Sequence, residues 1–389
     1  LGMIARLALQ RGGYYLKPDL TMVREADYLD YYEIAREYTL KLMTLKDREL
    51  PADFRQIFLN QCKFISPVNR EILFEVPFAV GEGDVGWNIG IRVDPGNHPY
   101  GQGSNYMAMP PTYYYSFDFE DKRREVTCGL YTLNQDFVQE LVSRGNMNIS
   151  QGKWSRHFLD SPPGPSTSKG TGINWPMMRY ADILLMFAEA ENELNGPTTQ
   201  AQDALKRVRQ RAFDGSVWSE KVDEYLAGIS SSKEDFFHAI VDERAWEFGG
   251  EMIRKYELIR WNLYYEKVKE TVEDCRAMAD SAFAGTGLLP DYVYTKLDEN
   301  GDLMVLNTHE KVGSPPDDTW ERQTWLIAMY DETQADGYAL WLSRDYENYV
   351  NPPNIGVSDG VIRYIFPIPT IGIDNSKGLL KNDGYNFGF

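Results

Sequence analysis

The chain has 389 residues, a formal charge of −18 and three cysteines. That acidity disfavours a nucleic-acid surface and anionic substrates. The length suffices for one large domain or two ordinary ones, and Cys62, Cys128 and Cys275 stand at no metal-like spacing and form no disulfide framework. Aromatics reach 13%, with 25 Tyr and 9 Trp, more than a core alone uses. No apolar run approaches the roughly 18 residues of a membrane span. No signal peptide is visible. Leu1, Ile4, Ala5, Ala8 and Leu9 already stand at helical spacing, so the chain reads as a fragment beginning inside a helix, with any targeting signal upstream.

In chain order, the spacing predicts a helix over residues 1–16, ended by Gly12-Gly13 or shortly after. A second runs over residues 24–46, with Tyr31, Ile34, Ala35, Tyr38, Leu42 and Leu45 on one stripe. Pro51 starts a third, to about Cys62, and Asn69–Phe78 holds a short strand-like segment. From Ala79 to Ile173 helical periodicity gives way to Gly, Pro and Asn, with Trp87, Tyr100, Tyr106 and Tyr113–Tyr115 scattered among them. So long a non-repetitive stretch is usually functional. Inside it a short helix is expected over Asn134–Ser143 and a linker over Ser161–Gly172.

Asn174–Phe213 reads as two antiparallel helices joined at Asn195-Gly196-Pro197. The first is apolar round most of its circumference, through Met177, Tyr180, Leu184, Phe187 and Leu194 and a stripe of Ala181, Leu185 and Ala188, and should be buried. Thr198 or Thr199 caps the second, which shows Ala201, Ala204, Leu205, Val208 and Ala212 on one face. Such a pair is the unit of a helical repeat. Gly215–Ser231 reads as a loop with one helical turn. Ser232 opens a helix with Asp235 as a partial capping box, Gly249-Gly250 breaks it, and one long helix follows to about Glu270. Residues 271–350 read as irregular, except for a hairpin of Tyr292–Leu297 and Leu303–Leu306 around Glu299-Asn300-Gly301-Asp302. The tail from Val361 is extended. The expected fold is mainly α: helix pairs supporting a loop-rich half with short strands and hairpins.

Catalytic signatures are missing. There is no His-Glu-x-x-His, no Cys-x-x-Cys, no Gly-x-Ser-x-Gly and no phosphate loop in a strand-turn-helix context. Glu243 and Glu247 lie one helical turn apart near Asp242 and His238. A carboxylate-bridged metal or a glycosidase pair would use such a spacing, but the di-iron pattern needs Glu-x-x-His on two helices. Buried ion pairing with Arg244, Arg254 or Arg260 is favoured instead. Glu189, Glu191 and Glu193 are read as structural too. Asp298–Asp302 resembles part of a calcium loop, yet Gly stands fourth rather than sixth and no Glu closes it, so a turn is expected. No cofactor is expected, calcium being the one candidate.

The loop aromatics carry the functional reading. Sugar rings present C–H faces that stack on Trp and Tyr, while amides bond their hydroxyls. Trp87, Tyr100, Tyr106 and Trp320 are the expected platforms for a neutral hydroxylated ligand, with Asn88, Asn97 and Asn105 as hydroxyl partners. Trp325, Tyr330, Tyr338 and Trp341 follow Trp320. The competing possibility is that each ring packs under its own loop. Tyr113–Tyr115 cannot share one strand face, so at least one of them belongs to the core.

Four ordered stretches resemble the SusD/RagB family of outer-membrane lipoproteins of Bacteroidetes. Residues 172–196, Gly-Ile-Asn-Trp-Pro-Met-Met-Arg-Tyr-Ala-Asp through Leu194-Asn195-Gly196, with Ala204–Ala212, are similar to its central motif. Ile240–Trp261 resembles its Glu-Arg-x-x-Glu-Phe helix pair, with Glu257 where Asp is usual. Ile365–Pro369 with Asn382–Tyr385 resembles its C-terminal end, and residues 2–16 with the Tyr31–Met43 helix resemble an earlier repeat. The resemblance implies one domain over 1–389, with tetratricopeptide-like helix pairs in an α-α superhelix. Within it, 1–78 and 174–270 form helical repeats, 79–173 a loop-rich ligand-binding part and 271–389 an irregular C-terminal part. It further implies a non-enzymatic protein on the extracellular face of the outer membrane, held by a lipid anchor lying outside this chain. Its role would be to pass a glycan to a SusC-like TonB-dependent transporter. Those motifs are scaffold, so the site residues rest on the aromatic reading alone. Peptide capture as in the RagB branch, a helical-repeat scaffold for another protein, and a glycoside hydrolase acting through Glu243 or Glu247 are the alternatives.

Overall fold

A computed structural model describes residues 1–17, 21–142, 148–165, 170–284, 286–326, 357–358, 361–362, 364–365 and 368–382. The N-terminal part holds α1 (Gly2–Arg11), β1 (Tyr15–Leu16), β2 (Met22–Val23), α2 (Tyr28–Leu45), α3 (Phe54–Cys62) and β3 (Ile72–Val76). The loop-rich part holds α4 (Pro111–Ser116), α5 (Arg124–Thr127), β4 (Cys128–Gly129), β5 (Tyr131–Leu133), β6 (Gln139–Leu141) and β7 (Ser150–Gln151). There follow β8 (Trp175–Arg179), α6 (Tyr180–Asn195), α7 (Thr199–Ala212), α8 (Tyr225–Ile229), α9 (Lys233–Phe248), α10 (Arg254–Arg260) and α11 (Tyr264–Ala284). Strands β9 (Tyr292–Leu297), β10 (Leu303–Leu306) and β11 (Glu321–Thr324) make an antiparallel sheet in the order β10-β9-β11.

Helix α6 is the axis of the helical part. Every residue from Tyr180 to Asn192 is buried, because α1, α2, α7 and α9 surround it. It ends at Gly196, whose φ of 81° suits glycine. Thr198 then caps α7 by accepting the Ala201 N–H. Leu184, Leu185 and Phe187 meet Ala5, Ala35, Leu205, Val208 and Ile240 in one core. The fold is mainly α, with tetratricopeptide-like helix pairs, as the periodicity and the resemblance led one to expect.

Several local expectations are corrected. Asn134–Ser143 is not a helix. Its described residues form the turn and second strand of a hairpin in which β5 pairs with β6. The Asn134 carboxamide oxygen accepts the N–H groups of Asp136 and Val138, a local alternative that competes with helix formation. Gly215–Ser231 is largely helical: Val222 and Leu226, four apart, pack into the main core and drive a π turn over Ser219–Glu224 into α8. The single long helix after Gly250 is two. Asn262, at φ 61°, stops α10, with Leu263 N–H donating to Leu258 O and Asn262 N–H to Ile259 O, the bond pair of a left-handed helix cap. Helix α11 runs on to Ala284, past the expected end, because Val272, Cys275 and Ala279 give it a buried stripe. Tyr113–Tyr115 lie on α4, and their hydroxyls donate inward, to Ala245 O, Thr308 Oγ1 and Thr308 O. The expected hairpin over Tyr292–Leu306 is present, with Gly301 at φ 84°.

Glu243 and Glu247 are ion-paired and fully buried, but with other partners than expected. Neighbours one residue apart on a helix do not face each other, and Arg244 turns to Asp182 and Glu257. Glu243 instead meets Arg123 at 2.7 Å and Arg209 at 3.0 Å. Glu247 meets Arg179 at 2.7 Å, Arg123 at 3.1 Å and Arg211. Arg123, Lys153, Arg179, Arg209 and Arg211 face Glu71, Asp121, Glu243, Glu247 and Glu251, five cations against five carboxylates. The network joins the loop-rich part, through Asp121, Arg123 and Lys153, to α7, β8 and the C-terminal end of α9. Glu189, on α6, pairs with Arg260 and accepts the Trp261 indole N–H. Glu191 and Glu193 are also ion-paired, with Arg36 and Lys233.

Candidate functional site

The predicted site residues fall into three groups. In the first, the chain crosses itself. Ser104 N–H donates to Trp87 O at 2.6 Å and Tyr106 N–H to Asn88 O at 3.2 Å. This brings Trp87, Asn88, Asn105 and Tyr106 together, with the Trp87 and Tyr106 rings 5.8 Å apart and tilted by 53°. Tyr106 is 72% exposed, while Trp87, Asn88 and Asn105 are half-buried. Asn88 Nδ2 already donates to Asp84 at 2.8 Å. Asn105 Nδ2 donates to Asn148 O at 3.3 Å, and its Oδ1 has no partner among the described residues. Close packing makes the crossing possible: a Cβ on Gly90 would stand 2.5 Å from Trp154 O, and Gly90 has φ 147°.

The second group is Asn97 and Tyr100. Asn97 is exposed and its N–H donates to Gln135 O at 3.1 Å. The Tyr100 ring lies parallel to Phe137, with centroids 4.7 Å apart and planes at 5°, so one of its faces is covered by protein. Phe137 holds φ 63° at the hairpin tip. Behind it, His157 accepts or donates one bond with the Tyr131 hydroxyl at 3.1 Å and one with Ser155 Oγ at 2.6 Å. Burial, helped by Arg55, pushes the His157 imidazole down to about 3, so it stays neutral.

The third group is Trp320 alone. Among the described residues no ring contact joins it to Trp87 or Tyr100. Lys296 Nζ lies 4.5 Å from its ring centroid, one step along the register from the Glu321–Thr295 pair. The groups are linked through the β5–β6 hairpin. Its Gln135 O holds Asn97, and its Gln139 amide binds Asp302 Oδ1 at 2.7 Å and the Leu303 N–H at 2.9 Å. Trp325 is buried and belongs to the core; Tyr330, Tyr338 and Trp341 lie outside the described residues.

Sequence reasoning missed Phe137 and Lys296, which each cover part of a predicted platform. Phe137 was hidden by reading its hairpin as a helix, and Lys296 is placed only by strand register. Glu243 and Glu247, the acid pair singled out from the sequence, are both sealed from solvent. The Asp298–Asp302 segment is a turn whose Asp298 carboxylate accepts the N–H groups of Asn300 and Asp302.

Fold and site together describe a helical-repeat scaffold that carries aromatic and amide side chains on irregular loops. The sequence profile of the SusD family matches residues 139–385, and the chain belongs to that family. SusD-like protein P2 of Formosa agariphila is 25% identical over 238 residues, which are 56% of this chain and 44% of that protein. SusD-like protein P25 of the same organism is 42% identical over 94 residues, 24% of this chain and 16% of that protein. The crystal structure of a SusD homolog from Bacteroides thetaiotaomicron superposes with a TM-score of 0.61 at 22% identity, over 70% of this chain and 54% of that one. The chain therefore spans about half or less of the length of these relatives.

Proposed function

We propose that this chain binds a neutral glycan at the cell surface, without chemistry, and delivers it to a SusC-like TonB-dependent transporter at the outer membrane. The observation that carries the reading is the Trp87–Tyr106 crossing: an open ring beside a second ring, flanked by Asn88 and Asn105. Flat rings and amides fit the C–H faces and hydroxyls of a sugar, and neither requires net charge. Family membership supports the same role. The acid pair that a glycosidase would need is locked in ion pairs away from solvent. Trp320, with Lys296 against its ring, offers a further ring at β11. Asn97 and Tyr100 form a neighbouring patch, Tyr100 offering the face that Phe137 leaves uncovered.

Isothermal titration against a panel of plant and host glycans tests this. The best ligand should bind with little dependence on salt, because no counterions are released. Trp87→Ala and Trp320→Ala should each weaken it by about fivefold or more, the equivalent of about 1 kcal/mol. Unchanged affinity in both variants would remove the assigned site. Preferential binding of a neutral peptide would remove the glycan.

A further inference from the structure

A cleft of about 330 Å³ opens between α3, the loop 63–71 and the start of β3. It shares no lining residue with the aromatic loops. Its wall combines aliphatic surface, Ile57 and Ile72, with the amides of Asn60, Asn69 and Asn174. Each amide is donor and acceptor at once, as a hydroxyl is. Asn174 uses its Oδ1 on the Phe78 N–H at 3.0 Å, and its Nδ2 has no partner among the described residues. The charges in the wall are already matched. Arg70 binds Glu75 at 2.7 Å, and Glu71 lies 2.5 Å from both Arg179 and Arg211.

The loop that forms the mouth begins at the left-handed cap of α3, where Ile65 N–H donates to Asn60 O and Phe64 N–H to Gln61 O. Phe64 and Asn69 hold φ of 57° and 62°, a region that a bulky side chain such as Phe avoids. The cap imposes that backbone, and such a position ordinarily takes glycine or asparagine, so phenylalanine is kept here at a conformational cost. The strained Phe64 is not a core residue: it is 57% exposed at the rim. The volume sits at the lower end of the roughly 300–1,000 Å³ of small-molecule sites. An uncharged ligand with one apolar face and several hydroxyls matches this wall, whereas an anion or cation finds no unmatched charge.

We propose that this cleft is a second binding site, separate from the aromatic loops, for an uncharged hydroxylated ring of mono- or disaccharide size. The test is saturation-transfer NMR on the purified 389-residue protein with D-glucose, maltose and cellobiose, and with the neutral peptide Ala-Ala-Ala. Wild type is compared with Phe64→Gly, Asn60→Ala and Trp87→Ala. At least one sugar should show transfer that survives Trp87→Ala and weakens by about fivefold or more in Phe64→Gly and in Asn60→Ala. Phe64→Gly should also raise the melting temperature, since glycine adopts positive φ freely; a ring retained for packing would lower it. Asn60→Ala keeps the test decisive should Phe64→Gly misfold. The proposal is overturned if no sugar binds, if the peptide binds in preference, or if both cleft variants bind as wild type. Transfer abolished by Trp87→Ala alone would leave the loop site standing and remove this one.

Discussion

Replacing Glu247 by Gln keeps the size of the side chain and removes one of the five buried carboxylates. Burial alone would raise the pKa of this group; Arg211, Arg179 and Arg123 overcome it and hold the carboxyl well below the usual range. Glu247 and Arg123 are fully buried, Arg179 is 1% exposed and Arg211 7%, so water cannot take over the lost charge. Removing one partner of a buried ion pair costs about 3–5 kcal/mol. With unfolding entropy near 2.1 cal/mol/K per residue, 389 residues give about 0.8 kcal/mol/K, so the midpoint should fall by about 4–6 °C. Thermal unfolding followed by circular dichroism reads this directly. Adding Arg211→Gln restores the charge balance, so the double variant should lose about 1–3 kcal/mol less than the two single losses combined. A shift under about 1 °C, or strict additivity, would refute the view that uncompensated charge sets the penalty.

Other perturbations have definite signs. His157 is neutral in the fold, with its pKa depressed from 6.5 to about 3 by burial first. Its contribution is complete above pH about 6.5 and lost as pH falls toward 3, at about 1.4 kcal/mol per pH unit; urea titrations from pH 7 to 4.5 should show that slope, and His157→Asn should flatten it. Leu185, fully buried in α6, should cost about 2–5 kcal/mol as Leu185→Ala, read in the same unfolding assay. Asn262→Ala should cost about 1 kcal/mol, because alanine tolerates φ 61° less well than asparagine does. Burial pushes the Cys62 thiol up to about 12 and raises those of Cys128 and Cys275. Ellman's reagent should therefore label all three only on unfolding.

Periodicity made the helical half legible. The stripe from Tyr180 to Leu194 announced a helix buried round most of its circumference, and Thr198 or Thr199 and Ser232 announced the caps, of which Thr198 and Ser232 accept the Ala201 and Asp235 N–H groups. What periodicity could not show was where a polar side chain rewrites the backbone. Asn134 turns an apparent helix into a hairpin, and Asn262 divides one helix into two. The ion network was half legible. Glu243 and Glu247 were recognisable as acids needing buried cations, but Arg123 and Arg179 come from segments far away in sequence, and only tertiary contact selects them. The aromatic loops were legible as a class. Which face of Tyr100 and of Trp320 stays open depends on Phe137, placed by the hairpin turn, and on Lys296, placed by strand register.

Charges as well as apolar contacts join the two halves: Trp154 packs with Phe54, Ile57 and Phe58 of α3 and Met109 and Ile149 with Cys275 and Ala279 of α11, while the ion network ties the same irregular segments to α7, β8 and α9. Directional bonds can position an irregular segment where area burial cannot. Lys153 Nζ donates to Glu247 O at 3.0 Å and to Glu251 at 2.6 Å, pinning the segment whose next residue, Trp154, accepts the Ile91 N–H at 3.0 Å. Ile91 closes the loop that carries Trp87, so the ion pair and the aromatic crossing are three short steps apart. Burial pushes the Lys153 ammonium down to about 8 even beside Glu251, the mark of a costly placement. Lys153→Met with Glu251→Met leaves four cations facing four carboxylates, and such apolar replacement of a buried pair is often neutral or stabilising. If position is what the pair provides, this double variant should melt no lower than wild type and still bind its glycan about fivefold or more weakly. Equal affinity would show that the pair fills space without aiming the loop.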